Sequence, residues 1–219
     1  MKQLLLFPYN GNARETLGVV DAINRQAPVW DVLGFFDDDP ARAGDAMGPH
    51  CVLGGREVLA DYPEAHVVAV PGRPDNYWKR LALIESLGIP DARFATLVHP
   101  TACIGPECSL SVNTVLMAGV VLTASVRLGA HVGILPNTVL SHEVTVGQGT
   151  LIGANVVVAG GVQVGECCYI GSGSHILQNI ILGDAALVGL GSTILHSVPP
   201  RTVVAGNPGK LLRALPPDP

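Results

Sequence analysis

The chain has 219 residues, of which 48% are hydrophobic, 14% charged and 5% aromatic, and this composition excludes an intrinsically disordered protein. The formal net charge is −5 and no basic run occurs, so binding to nucleic acid or to an anionic membrane is not expected. The long uncharged stretch 144–165 is studded with Gly, Gln, Asn and Thr, which argues against a membrane span.

Charged and aromatic residues are unevenly distributed along the chain. Residues 1–96 hold 22 charged residues and nine of the ten aromatic residues, whereas the remainder holds nine charged residues and one aromatic residue, Tyr169. We therefore predict a first domain at 1–96, a second domain at 97–200 and a C-terminal tail at 201–219.

The first domain alternates between strand-like and helix-like segments. The predicted elements, in chain order, are a strand at 4–7, a turn at 10–12, a helix at 13–26, strands at 32–36 and 66–70, and a helix that begins at an N-cap, Asp75, and stops at Gly88. This alternation predicts a small, parallel, Rossmann-like α/β domain.

Ligands of such domains bind beyond the carboxyl ends of the strands, where a helix N-terminus favours phosphate. The candidate residues there are Asn10, Gly11 and Asn12 after the first strand, with Asp37 and Asp38 after the second. The aspartates could accept hydrogen bonds from hydroxyl or base NH groups. A solvated turn explains them equally well.

In the second domain an aliphatic residue recurs at every sixth position from Val98 to Ile194, seventeen times without interruption. A period of six predicts a short strand and a turn, repeated around a triangular prism with three hexapeptides per coil. The aliphatic side chains then stack inside, and the glycines that often follow them permit the turns.

Several features together resemble the left-handed β-helix sugar acyltransferases, of the sialic-acid O-acetyltransferase and bacillosamine or perosamine N-acetyltransferase type. They are the hexapeptide run, the preceding α/β domain, the Ser141-His142-Glu143 segment and the closing segment 205–210. The resemblance implies a left-handed parallel β-helix, a homotrimer with active sites between subunits, acetyl-CoA as acyl donor and a nucleotide-linked amino sugar as acceptor.

One histidine of the repeat is directly followed by an acid. His142 is the third residue of its hexapeptide, which places it on the outer surface or at a corner, and Glu143 is one of only five charged residues between 98 and 199. A histidine can take a proton from an attacking amine or hydroxyl, and a carboxylate can orient its ring. The resemblance implies this catalytic pair; the alternative is a histidine that caps a coil at a subunit interface.

The resemblance also implies residues that hold the donor. Gly160, one coil after His142, matches the family position whose backbone NH stabilises the oxyanion, although it could be an ordinary corner glycine. Ser172, Gly189 and Gly191 match positions that line the pantetheine channel. Asn207 and Lys210 lie in a turn where the lysine could meet a CoA phosphate.

The sequence departs from the family in two places. The segment Asn10-Gly11-Asn12-Ala13 replaces a Gly-Gly-His-Gly type loop, and Leu151 stands where some amino-sugar acetyltransferases have a second histidine. The resemblance therefore does not extend to the nucleotide loop, and one acceptor contact is missing or replaced.

We predict no catalytic or metal-binding role for the remaining histidines and the cysteines. Hexapeptide-repeat carbonic anhydrases bind a metal through three histidines, two of them five residues apart, and because no such pair occurs here no metal is expected. His99, His131, His175 and His196 are assigned no catalytic role. Cys108 and Cys168 fall at inward positions and should pack in the core, and the odd cysteine number without zinc spacing predicts reduced thiols and a cytoplasmic protein.

The sequence thus predicts acetylation of the amine of a nucleotide-linked 4-amino-deoxy sugar, with His142 as general base and direct attack on the thioester. Two alternatives remain open: O-acetylation of a sialic acid or related sugar, and a non-catalytic trimeric scaffold that binds a sugar nucleotide.

Overall fold

The computed structural model describes residues 1–215. Its N-terminal part consists of β1 (Lys2–Phe7), α1 (Gly11–Gln26), β2 (Trp30–Phe35), β3 (Ala46–Met47), β4 (His50–Cys51), α2 (Val58–Asp61), β5 (His66–Ala69) and α3 (Arg80–Glu85). Strands β2, β1 and β5 form, in that order, a parallel three-stranded sheet. The N-terminal part is therefore a small parallel α/β unit built on one long helix.

Helix α1 begins earlier than the sequence predicts. Asn10 is its N-cap, and the Asn10 side-chain oxygen accepts a hydrogen bond from the Ala13 N–H at 2.8 Å. Asparagine is a preferred N-cap because its side chain satisfies one of the free N–H groups of the first turn. The predicted turn at 10–12 is thus wrong, since Gly11 and Asn12 are the first residues of the helix.

The prediction of Asp75 as an N-cap is also wrong. The Asn76 side chain accepts the Arg73 N–H at 2.7 Å, and the chain then passes through a 3-10 turn at Tyr77–Lys79 before α3 begins at Arg80. Asp75 is exposed and forms an ion pair with Arg73 at 3.6 Å.

The second part is a left-handed parallel β-helix. Each of the seventeen aliphatic residues of the repeat is the second residue of a two-residue strand, so the register predicted from the sequence is confirmed. The strands β6 to β22 form three sheets. The first sheet contains Leu97–Val98, Val115–Leu116, Gly133–Ile134, Leu151–Ile152, Tyr169–Ile170 and Leu187–Val188; the second contains Cys103–Ile104, Val121–Leu122, Val139–Leu140, Val157–Val158, His175–Ile176 and Thr193–Ile194; the third contains Ser109–Leu110, Arg127–Leu128, Thr145–Val146, Gln163–Val164 and Ile181–Leu182.

The turns depend on the fourth residue of each hexapeptide, not on the glycines that follow the aliphatic residues. From Glu107 to Gly191 all fifteen fourth residues have φ between 49° and 73°, the left-handed region that glycine and asparagine adopt most easily. The second-position glycines serve a different purpose. A Cβ on Gly171 would lie 2.5 Å from the Leu190 nitrogen of the next coil, so these glycines allow neighbouring coils to approach.

The inward position predicted for the two cysteines agrees with the structure. Cys168 is buried, and its thiol donates to the Gly183 carbonyl at 3.2 Å. Burial raises the pKa of this thiol to about 12, so it stays protonated at neutral pH. Cys108 is half-buried against the same core.

The last strands close the prism at its C-terminal end. Strand β23 (Thr202–Ala205) extends the first sheet in parallel, and β24 (Lys210–Ala214) pairs with β23 in antiparallel orientation. The predicted tail at 201–219 therefore forms a hairpin over residues 202–214, and residues 216–219 of that tail lie outside the described residues. No helix among residues 1–215 is long and apolar enough to cross a membrane.

A buried polar network joins the α/β unit to the β-helix. The Arg80 guanidinium is 1% exposed and donates to the carbonyls of Pro71, at 2.7 Å, and of His131. The Asn113 amide exchanges hydrogen bonds with the Ala69 backbone, at 2.8 and 2.9 Å, and contacts the His131 ring. These bonds fix the end of β5 against the early coils.

Leu151 takes part in the same junction. Its Cδ1 lies 2.9 Å from the position that a Cβ on Gly72 would occupy, so the leucine fills the space between the α/β unit and the first sheet. Leu151, one of the two departures from the family pattern, thus packs between the two parts of the chain.

Candidate functional site

His142 and Glu143 lie at the second corner of the β-helix, which follows the strands of the second sheet. Their side chains are 66% and 72% exposed, and the His142 Nδ1 lies 3.3 Å from the Glu143 Oε2. The pair follows β13 (Val139–Leu140), whose Leu140 points into the core. The ring therefore stands on the outer surface, as its third position in the hexapeptide predicts.

Gly160 lies directly beneath the imidazole. A Cβ on Gly160 would overlap the Nε2 and Cε1 atoms of His142, so only glycine lets the ring rest on the next coil. The Gly161 N–H donates to the His142 carbonyl at 2.9 Å, whereas the Gly160 N–H has no hydrogen-bond acceptor among residues 1–215. This N–H is thus free to meet an incoming oxygen next to the imidazole.

Three of the donor residues predicted from the resemblance, Ser172, Gly189 and Gly191, lie at the first corner, which follows the strands of the first sheet. The Gly191 N–H donates to the Ser172 carbonyl at 2.8 Å, and the Ser172 Oγ accepts the Ala154 N–H at 3.1 Å. A Cβ on Gly189 would lie 2.7 Å from the Ala205 Cβ. Within one chain, these residues and His142 therefore occupy different corners.

Asn207 lies in the turn between β23 and β24, Lys210 is the first residue of β24, and both are exposed. The turn is held to the β-helix by the Gly209 N–H, which donates to the Thr193 carbonyl at 2.8 Å. The Lys210 ammonium is therefore available to a solvent-borne anion at the C-terminal end of the prism.

Most of the residues predicted to bind the sugar nucleotide in the α/β unit already form hydrogen bonds within the chain. The side-chain amides of Asn10 and Asn12 donate to the Val70 carbonyl at 3.2 and 3.4 Å. Asp37 accepts the Tyr9 N–H at 2.9 Å. Asparagine side chains and Asp37 thus brace the loop that follows β1.

Asp38 forms an ion pair with Arg56. Its Oδ2 pairs with the Arg56 Nη2 at 2.5 Å, and the Arg56 guanidinium holds the pKa of the Asp38 carboxyl below its usual range. Gly11 differs from these residues because it is exposed, and the N–H groups of Gly11 and Asn12 have no acceptor among residues 1–215. The free N–H groups of the helix N-terminus remain able to bind an anion.

Sequence reasoning assigned no site role to Arg14, Glu15 and Gly18. Together with Gly11 these residues occupy one exposed face of α1 and line a cavity of about 530 Å³. Their spacing could have predicted this face, because residues 3, 4 and 7 positions after Gly11 lie on the same side of a helix.

The other histidines occupy varied environments. His131 is buried, and burial followed by the nearby Arg80 cation lowers the pKa of His131 to about 4. His175 and His196 are exposed, and the His99 ring contacts Thr101. Among residues 1–215 no group of three His, Cys, Asp or Glu side chains is placed to hold a metal ion.

Comparison with known proteins supports the repeat and the fold. The family model described as bacterial transferase hexapeptide (six repeats) matches residues 125–160 and 143–178. No curated protein sequence gives a significant match.

Solved structures match over almost the whole chain. A mutant of perosamine N-acetyltransferase from Caulobacter crescentus, in complex with CoA and GDP-perosamine, gives a TM-score of 0.84 at 22% identity and covers 97% of both chains. The acetyltransferase domain of PglB from Neisseria gonorrhoeae FA1090 gives 0.83 at 22% identity, over 97% of this chain and 100% of that chain. WeeI from Acinetobacter baumannii AYE gives 0.82 at 21% identity, over 97% and 100%.

The resemblance seen in the sequence is thereby confirmed for the repeat and for the architecture. The chain carries bacterial transferase hexapeptide repeats on a left-handed β-helix and shares its overall fold with these solved structures.

Proposed function

We propose that the protein is an acetyl-CoA-dependent sugar N-acetyltransferase that acylates the amine of a nucleotide-linked 4-amino-deoxy sugar. The observation that carries the proposal is the His142–Glu143 pair, exposed beside the free N–H of Gly160. The structural neighbours support it, since the C. crescentus enzyme was solved with CoA and GDP-perosamine and PglB with acetyl coenzyme A.

The residues at the second corner can carry the proton and the charge of acyl transfer. The Nδ1–H of His142 donates to Glu143, which leaves the lone pair on Nε2 to accept a proton. The sugar amine attacks the thioester carbonyl carbon and gives its proton to Nε2, while the Gly160 N–H donates to the developing oxyanion. The C–S bond then breaks as the C–N amide bond remains, and the imidazolium returns the proton to the departing CoA thiolate.

Glu143 has a role at each stage of this reaction. Its carboxylate fixes the ring orientation before attack and stabilises the imidazolium afterwards. The proposed reaction uses no cysteine thiol and no metal ion, because a base and an oxyanion donor are sufficient for direct attack on a thioester.

The active site requires more than one copy of the chain. His142 lies at the second corner, whereas Ser172, Gly189 and Gly191 lie at the first. A homotrimer in which the second corner of one subunit faces the first corner of the next would bring the base and the pantetheine channel together. We place the reaction in the cytoplasm, where acetyl-CoA is made and used.

The test is thiol release from acetyl-CoA in the presence of UDP-, dTDP- and GDP-linked 4-amino sugars. We expect turnover with one nucleotide class and a loss of 100-fold or more, on the order of a general base's contribution, in His142→Ala. The matched control is His196→Ala, an exposed histidine three coils further along the same corner, which should keep wild-type activity. Equal activity of His142→Ala and the wild type would overturn the proposal.

Two further measurements separate the alternatives. An amide product resists hydroxylamine, whereas the ester formed by O-acetylation is cleaved by it. Calorimetry with acetyl-CoA distinguishes a transferase from a non-catalytic scaffold. The scaffold is favoured by two observations: Asp38 is already paired with Arg56, and Leu151 packs against Gly72. A scaffold gives no binding heat, whereas a transferase binds acetyl-CoA in the micromolar to millimolar range.

A further inference from the structure

We infer that three copies of His175, one from each subunit of the trimer, form a binding site for a divalent transition metal of the zinc type on the threefold axis. The inference rests on the trimer of the proposed function and goes beyond it, because this metal holds subunits together and takes no part in acyl transfer. Each chain supplies a single histidine, so neither the spacing of the histidines nor a cluster within residues 1–215 marks the site.

The three faces of the prism differ in what covers them. On the first face, Leu151 and Leu187 pack against Gly72 and Tyr77 of the α/β unit. The third face carries hydroxyl groups and a cation, Arg127. The second face, which we call the valine face, is formed by the outward residues of the second sheet, and these are Cys103, Val121, Val139, Val157, His175 and Thr193.

The valine face is uncovered, and His175 is its only acidic or basic side chain. Val157 is 38% exposed, and Cys103 and His175 are exposed as well. The five charged residues between 98 and 199 lie at the second corner, on the third sheet or at the third corner, and they are Glu107, Arg127, Glu143, Glu166 and Asp184. An exposed row of apolar side chains without charge is typical of the core of a subunit interface.

The trimer turns the valine face inward. This face lies between the first and the second corner, and in the trimer the second corner of each subunit meets the first corner of the next. The third corner holds the α/β unit, through Asn113 and the Ala185 carbonyl, and therefore points away from the centre. In a closed ring of three subunits, the valine faces surround the threefold axis.

The valine face is narrow enough for side chains of three subunits to meet. Each face spans one hexapeptide, which is at most about 20 Å wide, so the middle of each wall of a triangular ring lies about 6 Å from the axis. His175 belongs to the two-residue strand of its face, and Ile176 points into the core. The imidazole therefore points towards the axis, and the three rings lie at one height because the axis runs along the prism.

His175 is not used by the fold of one chain. Among residues 1–215 its ring has no hydrogen bond or ion pair. The three preceding coils have Val121, Val139 and Val157 at the same place, and a fourth valine would suit an apolar interface. A ring enclosed by two copies of itself would leave polar nitrogens unpaired, which is costly. Three nitrogen lone pairs that converge on one point bind a metal ion instead.

The donor set fits zinc. Imidazole nitrogen is a preferred zinc ligand, and three histidines with one open position form a known zinc geometry, with zinc–nitrogen distances of about 2.0–2.1 Å. Thr193 pairs with His175 in the parallel register of the next coil and offers a hydroxyl to the second ring nitrogen, a support that ligating histidines need. Cys103 lies four coils away, about 19 Å along the axis, so it cannot join the site.

The experiment uses the full chain after removal of metal with a chelator. Analytical ultracentrifugation measures the oligomeric state, and equilibrium dialysis measures zinc binding. The wild type should be a trimer that binds one zinc ion per three chains, and zinc should raise its Tm by about 5 °C or more. Cobalt in place of zinc should give the visible absorption bands of a tetrahedral site.

His175→Val continues the row of valines, so this variant should fold, remain a trimer and lose the zinc ion. The matched control is His196→Ala, an exposed histidine at the second corner, which should still bind one zinc ion per three chains. Zinc bound at one ion per chain and retained by His175→Val would indicate an adventitious ion only and would overturn the inference. A wild-type trimer that binds no zinc, or a wild type that is not a trimer, would also overturn it.

Thiol release from acetyl-CoA by the wild type, measured with the chelator present, is a separate readout of the proposed function. Thiol release by a trimer that binds no zinc overturns the inference and leaves the proposed function standing. One zinc ion per three chains, without thiol release with any sugar nucleotide of the panel, overturns the proposed function and leaves the metal site standing.

Discussion

The imidazole of His142 rests on Gly160, which lies eighteen residues later in the chain and one coil further along the prism. The ring and the free Gly160 N–H thereby share one corner, although they are far apart in sequence. Both groups that the proposed reaction needs, a base and an oxyanion donor, are fixed by the same stacking of coils.

Gly160→Ala should therefore impair activity without unfolding the protein. The new Cβ would overlap the Nε2 and Cε1 atoms, so the exposed ring must swing away from its place beside the N–H. We expect kcat to fall about 100-fold, as for removal of one oxyanion donor or base, while Tm changes little. Wild-type kcat in a folded Gly160→Ala protein would argue that the ring position is irrelevant to catalysis.

Glu143→Asn should stabilise the protein and reduce its activity. Glu143 has a φ of 61°, and Glu107, at the same corner two coils earlier, has a φ of 59°. Asparagine tolerates this conformation better than glutamate, so each Glu→Asn change should add up to about 1 kcal/mol of unfolding free energy. Urea denaturation and thiol-release assays of both variants provide the check.

Glu107→Asn is the matched control for that change. Within residues 1–215 its carboxylate accepts only the Ser125 hydroxyl, at 2.8 Å, so the variant should gain stability at unchanged kcat. If both variants lose activity equally, the loss arises from the turn and not from the contact with His142.

Stability should fall between pH 6.5 and about 4 because of His131. Burial, then the Arg80 cation, lowers the pKa of His131 from 6.5 to about 4, with Asp91 acting in the opposite direction. The unfolded chain therefore takes up this proton at a higher pH than the folded chain does. The stabilisation is complete above pH 6.5 and is lost progressively as the pH falls, by up to about 3 kcal/mol.

Urea titrations at pH 7 and pH 5 measure this effect. His131→Asn should show a smaller difference between the two pH values than the wild type, whereas His196→Asn, at an exposed site, should show the wild-type difference. Carboxyl groups titrate equally in all three proteins. Parallel behaviour of His131→Asn and the wild type would contradict the assignment.

Arg80→Met should be severely destabilising. The variant leaves the carbonyls of Pro71 and His131 buried without a donor, at a cost of about 3 kcal/mol or more. Burial lowers the pKa of Arg80 only to about 10, so the guanidinium is charged at pH 7 and its hydrogen bonds are strong. Arg80→Lys keeps the charge but not the planar guanidinium geometry, so its stability should lie between that of the wild type and that of Arg80→Met.

Denaturant midpoints report this loss, and Arg73→Met serves as the control. The Arg73 ion pair with Asp75 is long and exposed, so its removal should barely move the midpoint. A small effect of Arg80→Met would show that the two parts of the chain are held together by other contacts.

The β-helix could be predicted from the sequence because its rule is local. The aliphatic residue of each hexapeptide enters the core regardless of what other coils contain, and the third position of His142 is exposed for the same reason. The N-cap of α1 could also have been predicted from the sequence, since Asn10 is a favoured capping residue. The Asn-Gly-Asn run is, however, equally typical of a turn.

Contacts between the two parts could not be predicted. Lys79-Arg80 has the pattern of an exposed basic pair, yet the Arg80 guanidinium is buried against a carbonyl 51 residues later. Leu151 likewise meets Gly72 across the junction. Such pairings depend on where the α/β unit sits on the prism, and no periodicity encodes that position.

The uniform six-residue register also limits how the chain can change in length. A deletion of one residue anywhere between 98 and 194 would turn the downstream aliphatic side chains outward and the polar ones inward. Removal or duplication of one hexapeptide keeps the aliphatic side chains inside but moves every downstream side chain to a different corner. A whole coil, eighteen residues, is therefore the smallest edit within this span that keeps each corner in place, and it moves everything beyond it by about 4.8 Å along the axis.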